Sequence, residues 1–156
     1  MLPYKALAYA HLSFEKNTMS PTFNWPVRVY YEDTDAEGVV YYANYLKFYE
    51  RARTEWLRSL GISQEILKNR HNIIFVVKNV SIDYRRSALL DDELIVTAQV
   101  AQLKGASILF EQTVWRDGDE LNKCTVTIVC VDGKTIRPTA IPDEVAQKMR
   151  QGLTGN

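Results

Sequence analysis

Asp33 and Asp35 are the side chains of this sequence whose type and spacing could do chemistry first. A carboxylate can take a proton from water or attack an electrophilic carbon itself, and these two flank Thr34 in the run Glu32-Asp33-Thr34-Asp35-Ala36-Glu37-Gly38. They continue the parity of Val27, Val29 and Tyr31, so if that strand persists both carboxylates face the core side, which is costly unless compensated. The plain structural alternative is that both cap the turn or the coming helix, as Asp commonly does. Gly38 is free to take backbone angles, or a close approach, that a side chain would forbid.

Other chemistries find little support. Cys124 and Cys130 fall on the apolar parity of one strand-like segment, about 20 Å apart at the usual rise, which exceeds disulfide reach within one chain. They read as buried reduced thiols of a cytoplasmic protein. The histidines, His11 and His71, lie near neither cysteine, and no HExxH, CxxC, GxSxG, P-loop or GxGxxG pattern occurs. No metal and no cofactor are expected. Nineteen basic residues balance nineteen acidic ones, so no net positive field gathers nucleic acid or anionic lipid. No apolar run approaches the roughly 18 residues of a membrane span.

The elements that must position the two carboxylates are legible in the hydrophobic period. The 156 residues fit one domain, expected over 23–156 behind an N-terminal extension, 1–22, that lacks the apolar region and cleavage site of a secretory signal. A strand over Trp25 to Tyr31 leads into the acidic turn. Beyond it Tyr45, Tyr49, Ala52, Trp56 and Leu60, widened by Leu46 and Leu57, recur at helical steps, and Gly61 supplies a stop. Four alternating segments follow, around Val80 to Tyr84, Leu94 to Val100, Ile108 to Val114 and Val126 to Cys130. Turns at Lys104-Gly105-Ala106 and Asp117-Gly118-Asp119 make the last three an antiparallel meander. Asp143 to Arg150, after Pro142, predicts a closing helix. The order gives an α+β fold, a curved antiparallel sheet around one central helix.

The string from Arg28 through Asp33-Thr34-Asp35-Ala36-Glu37-Gly38, Tyr41-Tyr42-Ala43-Asn44-Tyr45 and Glu50-Arg51-Ala52-Arg53 resembles the hotdog-fold acyl-CoA thioesterases of the 4-hydroxybenzoyl-CoA thioesterase group. Within that group it is most similar to the bacterial branch associated with the Tol-Pal cell-envelope system. The segment from Asp83 to Leu94 agrees as well. The resemblance implies that Asp35, the second Asp of a D-T-D-x-x-G motif, carries catalysis, and that the central helix begins at Tyr42. It implies five antiparallel strands wrapped around that helix, and homodimers with interface active sites assembling to a homotetramer. The substrate would be an acyl-CoA, or an acyl group on acyl carrier protein.

Residue chemistry fits this reading. A thioester carbonyl needs a donor for its developing oxyanion, and a helix N-terminus offers unpaired N–H groups, here that of Tyr42. Asp35 could attack the carbonyl or deprotonate a water, and the sequence leaves both roles open. Many members of the branch carry His where this chain has Tyr42, so only the backbone role transfers. Glu50, eight residues on, is a second candidate for catalysis, with a surface pair to Arg53 or Thr54 as its alternative. Gly38 is expected beside the substrate. The resemblance points to Lys104 and Arg137 for the CoA phosphates, with Arg85 and Arg86 as further candidates. A hydratase or dehydratase, and a non-catalytic acyl-binding adaptor, are the rival functions.

Overall fold

The computed structural model describes residues 22–154, so nearly all of the expected extension, 1–22, lies outside the described residues. Five strands form one antiparallel sheet: β1 (Phe23–Arg28), β2 (Ile73–Tyr84), β3 (Glu93–Lys104), β4 (Ser107–Arg116) and β5 (Asp119–Asp132), in the order β1-β3-β4-β5-β2. The α+β hotdog architecture is the one expected. Two edges result. β1 is short and carries Pro26 opposite Ile95, and an edge tolerates a residue without an N–H. β2 is twelve residues long and, among the described residues, pairs on one side only, with β5.

The central helix α1 (Tyr45–Ser59) is preceded by a 3₁₀ turn over Tyr42–Asn44. Its buried face is Tyr45, Phe48, Tyr49, Ala52, Trp56 and Leu57. Phe48 belongs to the stripe, whereas Leu46, expected there, is exposed. Each large apolar side chain so buried contributes roughly 1.5 to 3 kcal/mol. Trp56 meets Phe110 of β4 edge-on, with 5.5 Å between ring centroids. The stop at Gly61 is a Schellman end, in which Ile62 N–H donates to Leu57 O and Gly61 N–H to Arg58 O.

Two features depart from the sequence reading. The stretch before Ile73 holds a helix, α2 (Gln64–His71), with the Ser63 hydroxyl accepting from Ile66 N–H at its start and left-handed Asn72 at its end. His71 is the last residue of this helix. β2 also begins at Ile73, well before Val80. The meander of β3, β4 and β5 is as expected, and the closing helix α3 runs over Asp143–Thr154. Cys124 and Cys130 are free and buried. Burial pushes their thiols up, to about 12 and about 11.

Candidate active site

The strand carrying Val27 ends at Arg28, so the parity that would have turned both carboxylates inward is lost. Tyr31 begins a 3₁₀ turn and is 83% exposed, contrary to its expected place on the apolar face. Asp33 and Asp35 consequently have different fates. Asp33 is buried, and its Oδ2 accepts the Tyr30 N–H at 2.8 Å. Its carbonyl accepts the N–H of Tyr41 at 3.0 Å and the Asn44 side-chain amide at 2.8 Å. It fastens the loop to the helix start, as the capping alternative has it. Asp35 is exposed instead of facing the core.

Asp35 sits in a small hairpin that faces it toward solvent. Its N–H donates to Val39 O at 2.9 Å, and its carbonyl accepts from Gly38 N–H at 3.1 Å. One carboxylate oxygen accepts the Glu37 N–H at 2.9 Å, and the other has no partner among the described residues. Gly38 is needed for its φ of +82°, while a Cβ there would meet nothing within 4 Å. The expected close approach is therefore not what selects glycine within this chain. The hairpin is clamped from outside by the segment preceding β3, since Val40 N–H donates to Ala88 O and Leu90 N–H to Gly38 O. Ala88 N–H in turn donates to the buried Tyr45 hydroxyl at 3.0 Å, whose pKa burial raises.

The far strand of this hairpin leads directly into Tyr42. The first hydrogen bond of the 3₁₀ turn is Asn44 N–H to Tyr41 O, so the N–H groups of Tyr42 and Ala43 precede any acceptor the turn can offer. Tyr42 is exposed, packs edge-on against Tyr84, and accepts the Tyr84 hydroxyl on its carbonyl at 3.2 Å. Asp35 and the helix start are thus held in one hydrogen-bonded loop. Asn44 and Tyr84 are the supporting residues that sequence reasoning passed over. Tyr84 lay on the alternating parity of Val80 and Ile82, which predicted burial, yet it is 45% exposed at the sheet edge.

Glu50 is not drawn into this group. It lies eight residues beyond Tyr42, roughly 12 Å at the helical rise, is exposed, and accepts the Thr54 hydroxyl at 3.1 Å. With Arg53, Leu57, Phe75 and Phe110 it lines a cavity of about 110 Å³. Lys104 and Arg137 come to one end of the sheet, where Ile141 N–H donates to Gly105 O and Asp132 N–H to Arg137 O. That end is opposite to Asp35: β3 runs from Glu93 beside the Asp35 loop to Lys104, roughly 35 Å of strand. Arg85 and Arg86 are at the Asp35 end, engaged by Glu120 and Asp119 at 2.8 and 3.6 Å.

Known proteins resemble this chain in sequence and in fold. A model of the thioesterase-like superfamily matches residues 29–149. The acyl-CoA thioesterase YbgC of Haemophilus influenzae is 54% identical over 123 residues, covering 79% of this chain and 90% of that protein. The acyl-CoA thioester hydrolase YbgC of Escherichia coli is 43% identical over 130 residues, 83% of this chain and 96% of its own length. A probable thioesterase from Bartonella henselae superposes with a TM-score of 0.75 at 32% identity, covering 78% of this chain and all of that one. Sequence, strand order and helix placement agree that this chain belongs to the thioesterase-like superfamily, among its acyl-CoA thioesterases of the YbgC kind.

Proposed function

We propose that this chain hydrolyses acyl-CoA thioesters with Asp35 as nucleophile or general base and the Tyr42 N–H as oxyanion donor. The observation that supports it is the hairpin from Thr34 to Val40, which carries a solvent-facing carboxylate on one strand and runs from the other into the helix start. A thioester carbonyl laid on the Tyr42 N–H gains charge on oxygen as the tetrahedral intermediate forms, and one such donor is worth about 3 kcal/mol. Asp35 supplies the second half of the reaction, by bonding to the carbonyl carbon or by taking a proton from the water that does so. Hydrolysis then releases the acid and the thiol. The same reacting atoms occur in acyl carrier protein thioesters, so a paired assay of both carriers decides the physiological one. A cytoplasmic setting accords with the buried reduced thiols.

The site is incomplete in one subunit, because the cations expected for the CoA phosphates stand at the far end of β3. The long unpaired edge of β2 supports a homodimer, in which Lys104 and Arg137 of one subunit approach Asp35 of the other. Two such dimers would make the tetramer. The test of the reaction is Asp35→Asn: hydrolysis of acyl-CoA should fall by at least about a hundredfold, with the folded assembly intact. Near-normal kcat in that variant would remove Asp35 from the mechanism.

A further inference from the structure

Arg53 stands in the wall of the cavity between α1 and the sheet, and its guanidinium is under-used. Nη1 donates to Gln112 Oε1 at 2.9 Å. Gln112 is fully buried, and its Nε2 donates to Tyr49 O and Thr97 O, both at 3.0 Å. Both amide hydrogens are thereby committed to backbone carbonyls, which fixes the amide oxygen toward Arg53. A guanidinium has five N–H donors. Among the described residues no carboxylate forms an ion pair with Arg53, and Glu50, on the same wall, accepts from Thr54. Burial lowers the pKa of Arg53, partly opposed by the nearby Cys124 and Glu50. Arg53 is partly exposed and none of its nitrogens is buried without a partner, so its remaining donors face the cavity, where an acceptor oxygen can take the place of water.

The cavity is the size of a substrate's tip and not of a whole thioester. An apolar cavity of about 150 Å³ holds a benzene ring, and this one measures about 110 Å³. Its lining includes Phe75 and the half-exposed Val77, both on β2, an edge strand among the described residues. The opposite end of that edge carries Tyr84, which holds Tyr42. Antiparallel pairing of two β2 edges therefore sets the Phe75 end of one subunit against the Tyr84 end of the next. A thioester carbonyl at Tyr42 of the partner subunit would have its acyl tail directed at this cavity.

We propose that the cavity receives the far end of the acyl group and that Arg53 selects acyl groups bearing an acceptor oxygen there, a hydroxyl or a carboxylate. The inference rests on the reading of the chain as a thioester hydrolase. Gln112 is the positioning residue, because it spends its own donors on the backbone to aim an acceptor at Arg53. Leu57, Ile108 and Phe110 exclude water from the rest of the tail.

The test is a panel of acyl-CoAs from butyryl to decanoyl, each alkyl chain matched with its ω-hydroxy and ω-carboxy counterpart, on the wild-type protein, Arg53→Met and Arg53→Lys. At the length that reaches Arg53, the oxygenated substrates should exceed the alkyl one in kcat/KM by about tenfold, as a hydrogen bond to a charged group allows. Arg53→Met should bring that ratio toward one, and Arg53→Lys should retain part of it. A ω-hydroxy preference without a ω-carboxy one identifies a neutral acceptor, and the reverse identifies an anion. No preference at any length overturns the proposal, as does a preference that persists in Arg53→Met. A purely structural Arg53 would lower all substrates alike and leave the ratio standing. Titration of the free ω-hydroxy and ω-carboxy acids against the Arg53 side-chain NMR signals separates the two levels. Acid binding at Arg53 without hydrolysis of any thioester would keep the cavity and remove the hydrolase, whereas hydrolysis without acid binding would do the opposite.

Discussion

Two aspartates separated by one residue have opposite surroundings, Asp33 buried and Asp35 facing solvent. Asp33 is buried and its carboxylate holds the Tyr30 N–H, so Asp33→Ala orphans that donor and should cost about 1 to 3 kcal/mol of stability. Thermal unfolding checks this: a lowered Tm with activity recovered at low temperature is expected, the mirror image of Asp35→Asn. Glu50→Gln should reduce kcat less than Asp35→Asn does, because Glu50 lies beside Thr54 and the cavity, away from the Asp35 hairpin. A greater loss at Glu50 in steady-state kinetics would move the chemistry to the helix. The Asp-Thr-Asp pattern was legible in the sequence, but its division of roles was not. Parity assigns both aspartates the same face, and only the break after Arg28 separates them. That break is set by tertiary pairing with the segment before β3, through Val29 N–H to Asp92 O and Asp91 N–H to Val29 O.

At the level of the elements, clean alternation was enough to find β3, β4 and β5, since one parity is buried over the middle of each strand. β2 was half found because Ile73-Ile74-Phe75-Val76-Val77 is a continuous apolar run without alternation. α2 was missed because its eight residues bury only Leu67, too little for a periodic stripe. β5 carries a testable consequence of its burial. The Cys124 thiol is displaced from its ordinary 9.0 to about 12 by loss of solvation. The folded chain thus keeps a proton that the unfolded chain gives up, so stability is full below the ordinary value and falls as pH rises through the window up to about 12. Complete traverse would remove about 4 kcal/mol. Urea midpoints measured from about pH 8 to 10.5 should decline, and less steeply in Cys124→Ala. Equal slopes in the two proteins would dissociate the decline from this thiol.

For the molecule as a whole, the separation of Asp35 from Lys104 and Arg137 along β3 means that the proposed site needs two subunits. Light scattering at micromolar concentration should show dimers or tetramers, and a monomer would contradict a shared site. Replacing Lys104 and Arg137 together by Ala should raise KM for acyl-CoA by about threefold to tenfold with a smaller change in kcat, because phosphate contacts far from the carbonyl act alike in ground and transition states. A short acyl-pantetheine, lacking the nucleotide, should respond little. Equal losses on both substrates would assign these residues a structural role. The two sheet edges differ in what they permit. β2 offers twelve residues of open ladder, whereas β1 offers six and interrupts them with Pro26, which has no N–H to give. Edge-to-edge addition can therefore proceed once, through β2, and the joined sheet then ends in β1 on both sides. A chain with two permissive edges could grow head to tail into an open fibre. Here, among the described residues, strand addition through β2 would leave as outer edges only the short β1 strands, each interrupted by Pro26.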